Sequence, residues 1–195
     1  MSNVRGFFGI GIEGGSKSMN IGTLFRSANA FNASFVFAVN PQYRQQVTRK
    51  SDTSNATQNV PFYAFDSVAE MLLPAGCQLV GVELTEDAIE LPSFRHPRRA
   101  AYVLGPERGD LSPAMLERCD HVIKIPMSFC INVAIAGAIV MYDRMISLGR
   151  FAERPVKAGG PTEELPQHTQ GGPVLRTMKR YLADLPEPDR RTFRD

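Results

Sequence analysis

Short apolar runs without polar alternation recur along the chain and constrain its fold more than any other sequence feature. A strand of this kind is buried on both faces, which is typical of a parallel sheet covered by helices. The predicted strands are Phe7–Glu13, Ser34–Val39, Gln78–Leu84, Ala100–Leu104 and His121–Ile125. The helices predicted between them are Ile21–Phe31, Ser67–Leu73, Pro113–Cys119 and Asn132–Leu148. This alternation predicts an α/β fold with a mostly parallel sheet flanked by helices.

The composition is that of an ordinary globular chain, since 43% of the 195 residues are hydrophobic and the formal net charge is +2. A net charge this small excludes a surface that is basic over the whole protein, but it allows a local basic patch. The three cysteines form no C-x-x-C pair and the three histidines lie far apart, so we expect no metal site and a reducing, cytoplasmic compartment. The longest apolar run, Ile131–Tyr142, is too short to cross a bilayer, and we expect no membrane partner.

The composition changes near Arg150. Residues 151–195 contain ten prolines and glycines, which disfavour regular helices and strands. We therefore expect two parts, a folded domain over residues 1–150 and a Pro/Gly-rich appendage over residues 151–195.

Gly9, Gly11 and Gly14 form a G-x-G-x-x-G pattern after the first predicted strand. A dinucleotide-binding fold requires a helix to begin at once and an acidic residue about 20 positions later. Here Ser16, Lys17 and Ser18 intervene, and no acidic residue occurs between Gly14 and Asp52. The pattern therefore predicts a glycine-rich strand end and argues against a nucleotide-dependent oxidoreductase.

The first predicted helix has a buried stripe with the i, i+3, i+4, i+7 spacing, formed by Ile21, Leu24, Phe25 and Ala28. Asn20 is its predicted N-cap, and Arg26 projects from another face. The helix start and this arginine are suited to a phosphate or another anion. The alternative is a capped core helix with a solvated arginine.

Two further segments follow predicted strands. Residues 105–112 contain two glycines and Glu107 at the carboxyl end of a strand, where ligands bind in open α/β sheets. The alternative is a tight turn in which Asp110 or Ser112 caps the next helix. Residues 126–138 run from a proline through Asn132 into a helix of small residues, and Asn132 is either a functional residue or merely a cap.

In this order and spacing, the three segments resemble the motifs of the SPOUT superfamily, and within it those of the SpoU/TrmH-type RNA ribose 2′-O-methyltransferases. The matching residues of the three motifs are Asn20, Gly22 and Arg26; Gly105, Glu107 and Gly109; and Pro126 and Asn132. The resemblance implies a C-terminal deep trefoil knot, with S-adenosylmethionine as the cofactor.

The resemblance also implies roles for individual residues. The implied catalytic residues are Asn20, Arg26, Glu107 and Asn132. The implied cofactor-binding residues are Leu84, Gly105, Ile125, Met127 and Cys130. The family usually has a serine two positions before the asparagine, where this chain has Cys130, and whether Ser128 or Cys130 takes its role stays open.

The implied partners are RNA and a second copy of the chain, because such proteins are homodimers in which each site is completed by the other subunit. The substrate expected is tRNA, with rRNA as the other possibility. The residues expected to bind RNA are Arg26, Arg95, Arg98, Arg99 and Arg108. The competing hypothesis is a non-catalytic RNA-binding or RNA-assembly protein that retains the SPOUT fold.

Overall fold

Seven parallel strands form one sheet in the computed structural model, which describes residues 6–41, 59–106, 109–152, 154–155 and 158–160. The strands are β1 (Phe7–Glu13), β2 (Phe35–Val39), β3 (Phe62–Phe65), β4 (Gln78–Val82), β5 (Ile89–Glu90), β6 (Arg99–Leu104) and β7 (His121–Lys124). Their order is β3-β2-β1-β6-β4-β7-β5, and each of these pairings is parallel. The predicted α/β class and parallel sheet are confirmed.

Three helices cover the described part of the sheet: α1 (Ser18–Ala30), α2 (Pro113–Arg118) and α3 (Val133–Leu148). α1 and α3 pack against each other and bury one face of β1 and β6. Met115 of α2 joins a second apolar cluster on the opposite face, together with residues of β2 and β4. The predicted stripe of α1 is confirmed, because its four residues are 0–1% exposed. The chain divides into two units at Phe151 and Ala152, and most of the second unit lies outside the described residues.

The glycines of β1 serve strand packing. Successive residues of a strand point to opposite faces, so Ile10 and Ile12 join the α1 side and Gly9 and Gly11 face the other. A Cβ on Gly9 would lie 2.2 Å from the Phe35 ring, and one on Gly11 would lie 2.5 Å from the carbonyl oxygen of Phe37. The glycine-rich strand end predicted from the sequence is confirmed.

Some predicted boundaries are wrong. Residues 68–70 form a turn where a helix over Ser67–Leu73 was predicted, and the Arg118 guanidinium binds the carbonyl oxygens of Val68 and Met71 there. α1 begins at Ser18, so Lys17 occupies the N-cap position and Asn20 lies within the first turn. β3 and β5 were not predicted. Both are edge strands: β3 is a short apolar run of four residues, FYAF, that stays partly exposed, and β5 has only two residues, both exposed.

A buried arginine joins α3 to the amino ends of β1 and β6. Arg144 is 2% exposed, and its guanidinium donates hydrogen bonds to the carbonyl oxygens of Phe7, Pro97 and Arg98. It also lies over the rings of Phe8 and Tyr102, 5.2 and 5.9 Å from their centroids. Buried cations are tolerated only where such acceptors and rings replace water.

His96 completes this network in its neutral form. Its Nδ1 lies 2.6 Å from the Tyr102 hydroxyl and its Nε2 lies 2.8 Å from Asp143 Oδ2. Arg144 donates to the Tyr102 oxygen at 3.2 Å, so the tyrosine proton is directed to Nδ1 and Nε2–H donates to Asp143. Burial raises the pKa of Tyr102 to about 12, and burial lowers the pKa of His96 although Asp143 opposes the shift.

The free energy of unfolding is expected to fall as pH decreases below about 6.5, the unperturbed pKa of histidine. The unfolded chain then takes up a proton on His96 that the folded chain excludes, so this contribution is complete above that pH and is lost below it. Urea unfolding followed at about pH 7.5 and 5.5 measures the effect. His96→Asn should flatten the dependence, while His121→Asn is the matched control. An unchanged pH dependence in His96→Asn would contradict the assignment.

Candidate functional site

A cavity of about 480 Å³ lies at the carboxyl ends of β4, β6 and β7. Residues 82–84 follow or end β4, residues 104–106 and 109–110 follow or end β6, and residues 124–125 follow or end β7. Lys17 and Asn20 of the β1–α1 segment and residues of the α3 start complete the wall. The cavity therefore joins segments from separate parts of the chain, because parallel strands bring their carboxyl ends to the same edge.

The structure brings together all five residues predicted to bind a cofactor. Leu84, Gly105, Ile125, Met127 and Cys130 line this cavity. Ser128, the other candidate for the family serine, is exposed and is not among the lining residues. The cofactor-binding roles of the five lining residues remain predictions, but the strand order explains why they share one location.

Asn20 and Asn132 meet across the cavity wall although they are 112 residues apart. The Asn132 amide nitrogen donates to the side-chain oxygen of Asn20 at 3.0 Å. The Asn132 side-chain oxygen accepts from the Ala134 N–H at 2.9 Å and so caps α3. Asn132 is thus a cap, as one alternative proposed, and it also joins the first and third sequence motifs.

Two acidic residues that were not predicted from the sequence bind the segment after β6. Glu13 ends β1 and is 7% exposed; its carboxylate accepts from the Ser112 N–H at 2.9 Å and from the Ser112 hydroxyl at 2.6 Å. Glu83 accepts from the Leu111 N–H at 2.8 Å and from the Leu84 N–H at 2.9 Å. Each acidic residue ends or follows an apolar strand run, and that position was the available sequence signal.

Ser112, and not Asp110, caps the helix that follows the second motif. Its hydroxyl oxygen accepts from the Met115 N–H at 3.1 Å, so Ser112 is the N-cap of α2. Asp110 instead lines the cavity. Gly109, with a φ of +115°, requires glycine because other residues rarely adopt that conformation.

Two lysines place positive charge at the same cavity. Lys124 ends β7, and its ammonium group donates to the carbonyl oxygens of Thr85 and Glu86 at 3.1 and 3.0 Å. These bonds fix β7 to the segment between β4 and β5. Lys17 contributes from the position before α1. The cavity thus combines apolar side chains with cationic and anionic groups.

Other predicted residues lie elsewhere. Arg26 is exposed on α1 and is not among the residues that line the cavity. Arg95, Arg98 and Arg99 are exposed at the amino end of β6. Because β6 is six residues long, at about 3.3 Å per residue, its first residue, Arg99, lies about 16 Å from its carboxyl end. Neither Arg95 nor Arg98 is among the residues that line the cavity. The structure therefore does not place them beside the cavity.

Two predicted residues, Glu107 and Arg108, lie outside the described residues. In the part of the chain that is described, no group of three or more His, Cys, Asp or Glu residues could hold a metal ion. A search of the same residues finds no helix with the length and apolar character needed to span a membrane.

Comparison with known proteins gives the family. Residues 9–142 match the model of the SpoU rRNA methylase family. The 23S rRNA (guanosine-2′-O-)-methyltransferase RlmB of Nitrosomonas europaea is 32% identical over 142 residues, which cover 68% of this chain and 53% of that protein. The chain thus spans about half the length of the curated relatives it matches.

Solved structures share the fold. The AdoMet-bound rRNA methyltransferase from Sinorhizobium meliloti aligns with a TM-score of 0.66 and 18% identity, covering 76% of this chain and 59% of that one. A protein whose structure concerns 2-OH methylation of C/U34 on tRNA aligns with a TM-score of 0.64 and 20% identity, covering 74% and 97%. The match of the family model, which spans more than half of the chain, shows that this chain belongs to the SpoU rRNA methylase family.

Proposed function

We propose that this protein transfers a methyl group from S-adenosylmethionine to a ribose 2′-hydroxyl of RNA, and that it acts as a homodimer. The observation that carries the proposal is the cavity at the sheet's carboxyl edge, where residues of all three family motifs meet. The name of the Nitrosomonas relative, a 23S rRNA (guanosine-2′-O-)-methyltransferase, favours rRNA as the substrate. The tRNA-related structural neighbour keeps tRNA as the other substrate to be tested.

The residues present fit S-adenosylmethionine. Leu84, Leu104, Ile125 and Met127 offer apolar surface to an adenine ring, and Lys17 and Asp110 offer partners for the polar groups of the amino-acid and ribose moieties. A Cβ on Gly105 would lie 3.1 Å from Glu83 Oε2 and 3.2 Å from the Leu111 nitrogen, so this part of the cavity wall is closely packed. When bound, the cofactor supplies a methyl group activated by a sulfonium.

The chain's own residues would orient the ribose and stabilise its developing negative charge. The Asn132–Asn20 hydrogen bond holds the first and third motifs together at the cavity wall. Arg26 would bind the adjacent phosphate and stabilise the alkoxide as a cation, because arginine stays protonated in proteins. Glu107 would orient this arginine. Positioning of the reactants supplies about 7–11 kcal/mol in well-oriented reactions.

A homodimer explains how Arg26 reaches the cavity. Arg26 is not a lining residue of the cavity in its own subunit. α3 exposes Ile135, Ile139 and Tyr142, which are 55%, 36% and 50% exposed and follow the i, i+4, i+7 spacing of one helix face. We propose that a second copy covers this apolar face and that each Arg26 serves the partner's cavity.

The trefoil knot belongs to the same proposal. β7 lies between β4 and β5, and Lys124 at its end binds the main chain of the segment that connects those two strands. After β7 the chain returns to pack α3 against α1. This path supports a chain that passes through the β4–β5 connection. A crystal structure with residues 83–149 traced continuously tests it.

The activity is tested with purified protein, labelled S-adenosylmethionine and separate rRNA and tRNA substrates from cells that lack the gene. Label should enter one RNA class, and mapping of 2′-O-methyl positions should identify the nucleotide. Cofactor binding is measured in parallel by calorimetry. Binding of RNA without binding of S-adenosylmethionine would favour the non-catalytic RNA-binding alternative.

Arg26→Ala is expected to lower turnover by about 10²–10³-fold, the usual effect of removing a group that stabilises an oxyanion. S-adenosylmethionine affinity should be unchanged, because the contacts proposed for Arg26 are with the RNA phosphate and the developing alkoxide and not with the cofactor. Single-turnover methylation and calorimetry measure the two effects. Near-wild-type turnover in Arg26→Ala would show that this cation is not needed.

Mixing subunits tests whether Arg26 acts across the dimer. Arg26→Ala and Gly105→Val should each be inactive as homodimers, because a side chain at residue 105 would press against Glu83 and the main chain of residues 110 and 111 and so distort the cavity wall. Random heterodimers contain one complete site if Arg26 acts on the partner's cavity, so turnover should recover to roughly a quarter of wild type. No recovery in verified heterodimers would place Arg26 and the cavity in the same subunit.

Arg95→Gln combined with Arg98→Gln should weaken RNA binding and reduce the slope of log Kd against log salt by about 0.7–0.9 for each phosphate that the variant no longer neutralises. Both side chains are exposed at the sheet end away from the cavity, so S-adenosylmethionine affinity should not change. Arg150→Gln, another exposed arginine, is the matched control. An unchanged salt slope would remove Arg95 and Arg98 from the RNA-binding surface.

A further inference from the structure

The segment that follows β6 is held from both sides by carboxylates of the neighbouring strands. β6 lies between β1 and β4 in the sheet, Glu13 is the last residue of β1, and Glu83 directly follows β4. The two carboxylates accept hydrogen bonds from consecutive main-chain N–H groups, Glu13 from Ser112 and Glu83 from Leu111. We call this pair the carboxylate clamp.

Each member of the clamp uses both of its oxygens. The second Glu13 oxygen accepts from the Ser112 hydroxyl at 2.6 Å, and the second Glu83 oxygen accepts from the Leu84 N–H at 2.9 Å. Hydrogen bonds to an ionised group are short and strong, and two of them fix the plane of a carboxylate. Ser112 in turn caps α2, so the clamp joins β1, β4 and the helix start into one bonded unit.

The segment held by the clamp forms one wall of the cavity. Gly105, Pro106, Gly109 and Asp110 line it, and Glu83 lines it as well. A Cβ on Gly105 would come within 3.1 Å of Glu83 Oε2, so there is little space between this carboxylate and the main chain of the loop. A shift of Glu83 toward Gly105 would therefore press on the main chain of the cavity wall, and a shift away from it would lengthen the bond to the Leu111 N–H.

The burial of Glu13 indicates why this position carries a carboxylate. Glu13 is 7% exposed, and burial of an ionised carboxylate costs free energy unless hydrogen bonds compensate. Ser112 supplies two such bonds from the segment after β6. The folded state thus favours the loop position in which Ser112 lies against Glu13.

We propose that Glu13 and Glu83 are positioning residues that hold the described main chain after β6, residues 105–106 and 109–112, in the conformation that binds S-adenosylmethionine. This inference rests on the proposed function. Glu13 and Glu83 act through the main chain of the loop, and they determine affinity by ordering it before the ligand arrives. Preordering a binding segment raises affinity because less conformational freedom is lost on binding.

Glu13→Gln and Glu83→Gln test the clamp. Glutamine keeps the shape and one acceptor oxygen, but it places an NH₂ donor where the second oxygen accepted a hydrogen bond. Each variant should bind S-adenosylmethionine and S-adenosylhomocysteine about tenfold more weakly, in line with the loss of a hydrogen bond to a charged group. Calorimetry measures both ligands, and Glu117→Gln, an exposed carboxylate of α2, is the matched control.

The two ligands separate positioning from direct charge recognition. A positioning role lowers both affinities by the same factor, because both ligands contact the same loop. Weaker binding of S-adenosylmethionine alone would overturn the proposal, since it would indicate direct attraction between the carboxylate and the sulfonium. Unchanged affinity for both ligands would overturn it too. Failure of the wild-type protein to bind either ligand would contradict the proposed function instead.

Amide hydrogen exchange tests the clamp without any ligand. The Leu111 amide should exchange faster in Glu83→Gln and the Ser112 amide faster in Glu13→Gln, while amides of β1 and β6 keep their protection. Unchanged exchange at residues 111 and 112 would overturn the proposal whether or not the cofactor binds. If the buried Glu13→Gln variant does not fold, the half-exposed Glu83 variant carries the test by itself.

Discussion

The position of β6 between β1 and β4 is the constraint on which the rest of the structure depends. β6 pairs in parallel with both neighbours, so its carboxyl end emerges between two other strand ends. The main chain after β6 consequently lies within reach of side chains from both sides, and Glu13 and Glu83 bind it there. An antiparallel neighbour would present a strand beginning at this edge and could not provide the same pair of residues.

The opposite ends of these strands are bound by different chemistry. Arg144 binds carbonyl oxygens at the amino ends of β1 and β6, and His96, Tyr102 and Asp143 complete that network. Cation, rings and carbonyl oxygens thus stabilise one end of the sheet, while carboxylates and main-chain N–H groups order the other. The amino end is bound by Arg144 of α3, whereas the carboxyl end opens into the cavity.

Particular residues show which features of the structure can be predicted from the sequence. Phe7–Glu13 was predicted with its observed bounds, because a strand buried on both faces has an unbroken apolar pattern. The edge strands are too short to be predicted in this way, since β3 has four residues and β5 has two, and the turn at residues 68–70 depends on Arg118 from a distant helix. The five predicted cofactor residues share one cavity, but they were found by resemblance, whereas Glu13 and Glu83 become visible only through their bonds to Ser112 and Leu111.

By itself, the sequence determined the α/β class, the parallel sheet, the buried stripe of α1 and the glycine-rich strand that contains Gly9 and Gly11. These features follow from local patterns of apolar and small residues, which act through burial. Only the tertiary structure decided that Asn132 binds Asn20, that two carboxylates bind the loop after β6, and that Arg95, Arg98 and Arg99 lie away from the cavity. Each depends on the tertiary arrangement of the strands, which brings residues as distant in sequence as Asn20 and Asn132 into hydrogen-bond distance and which no local pattern encodes.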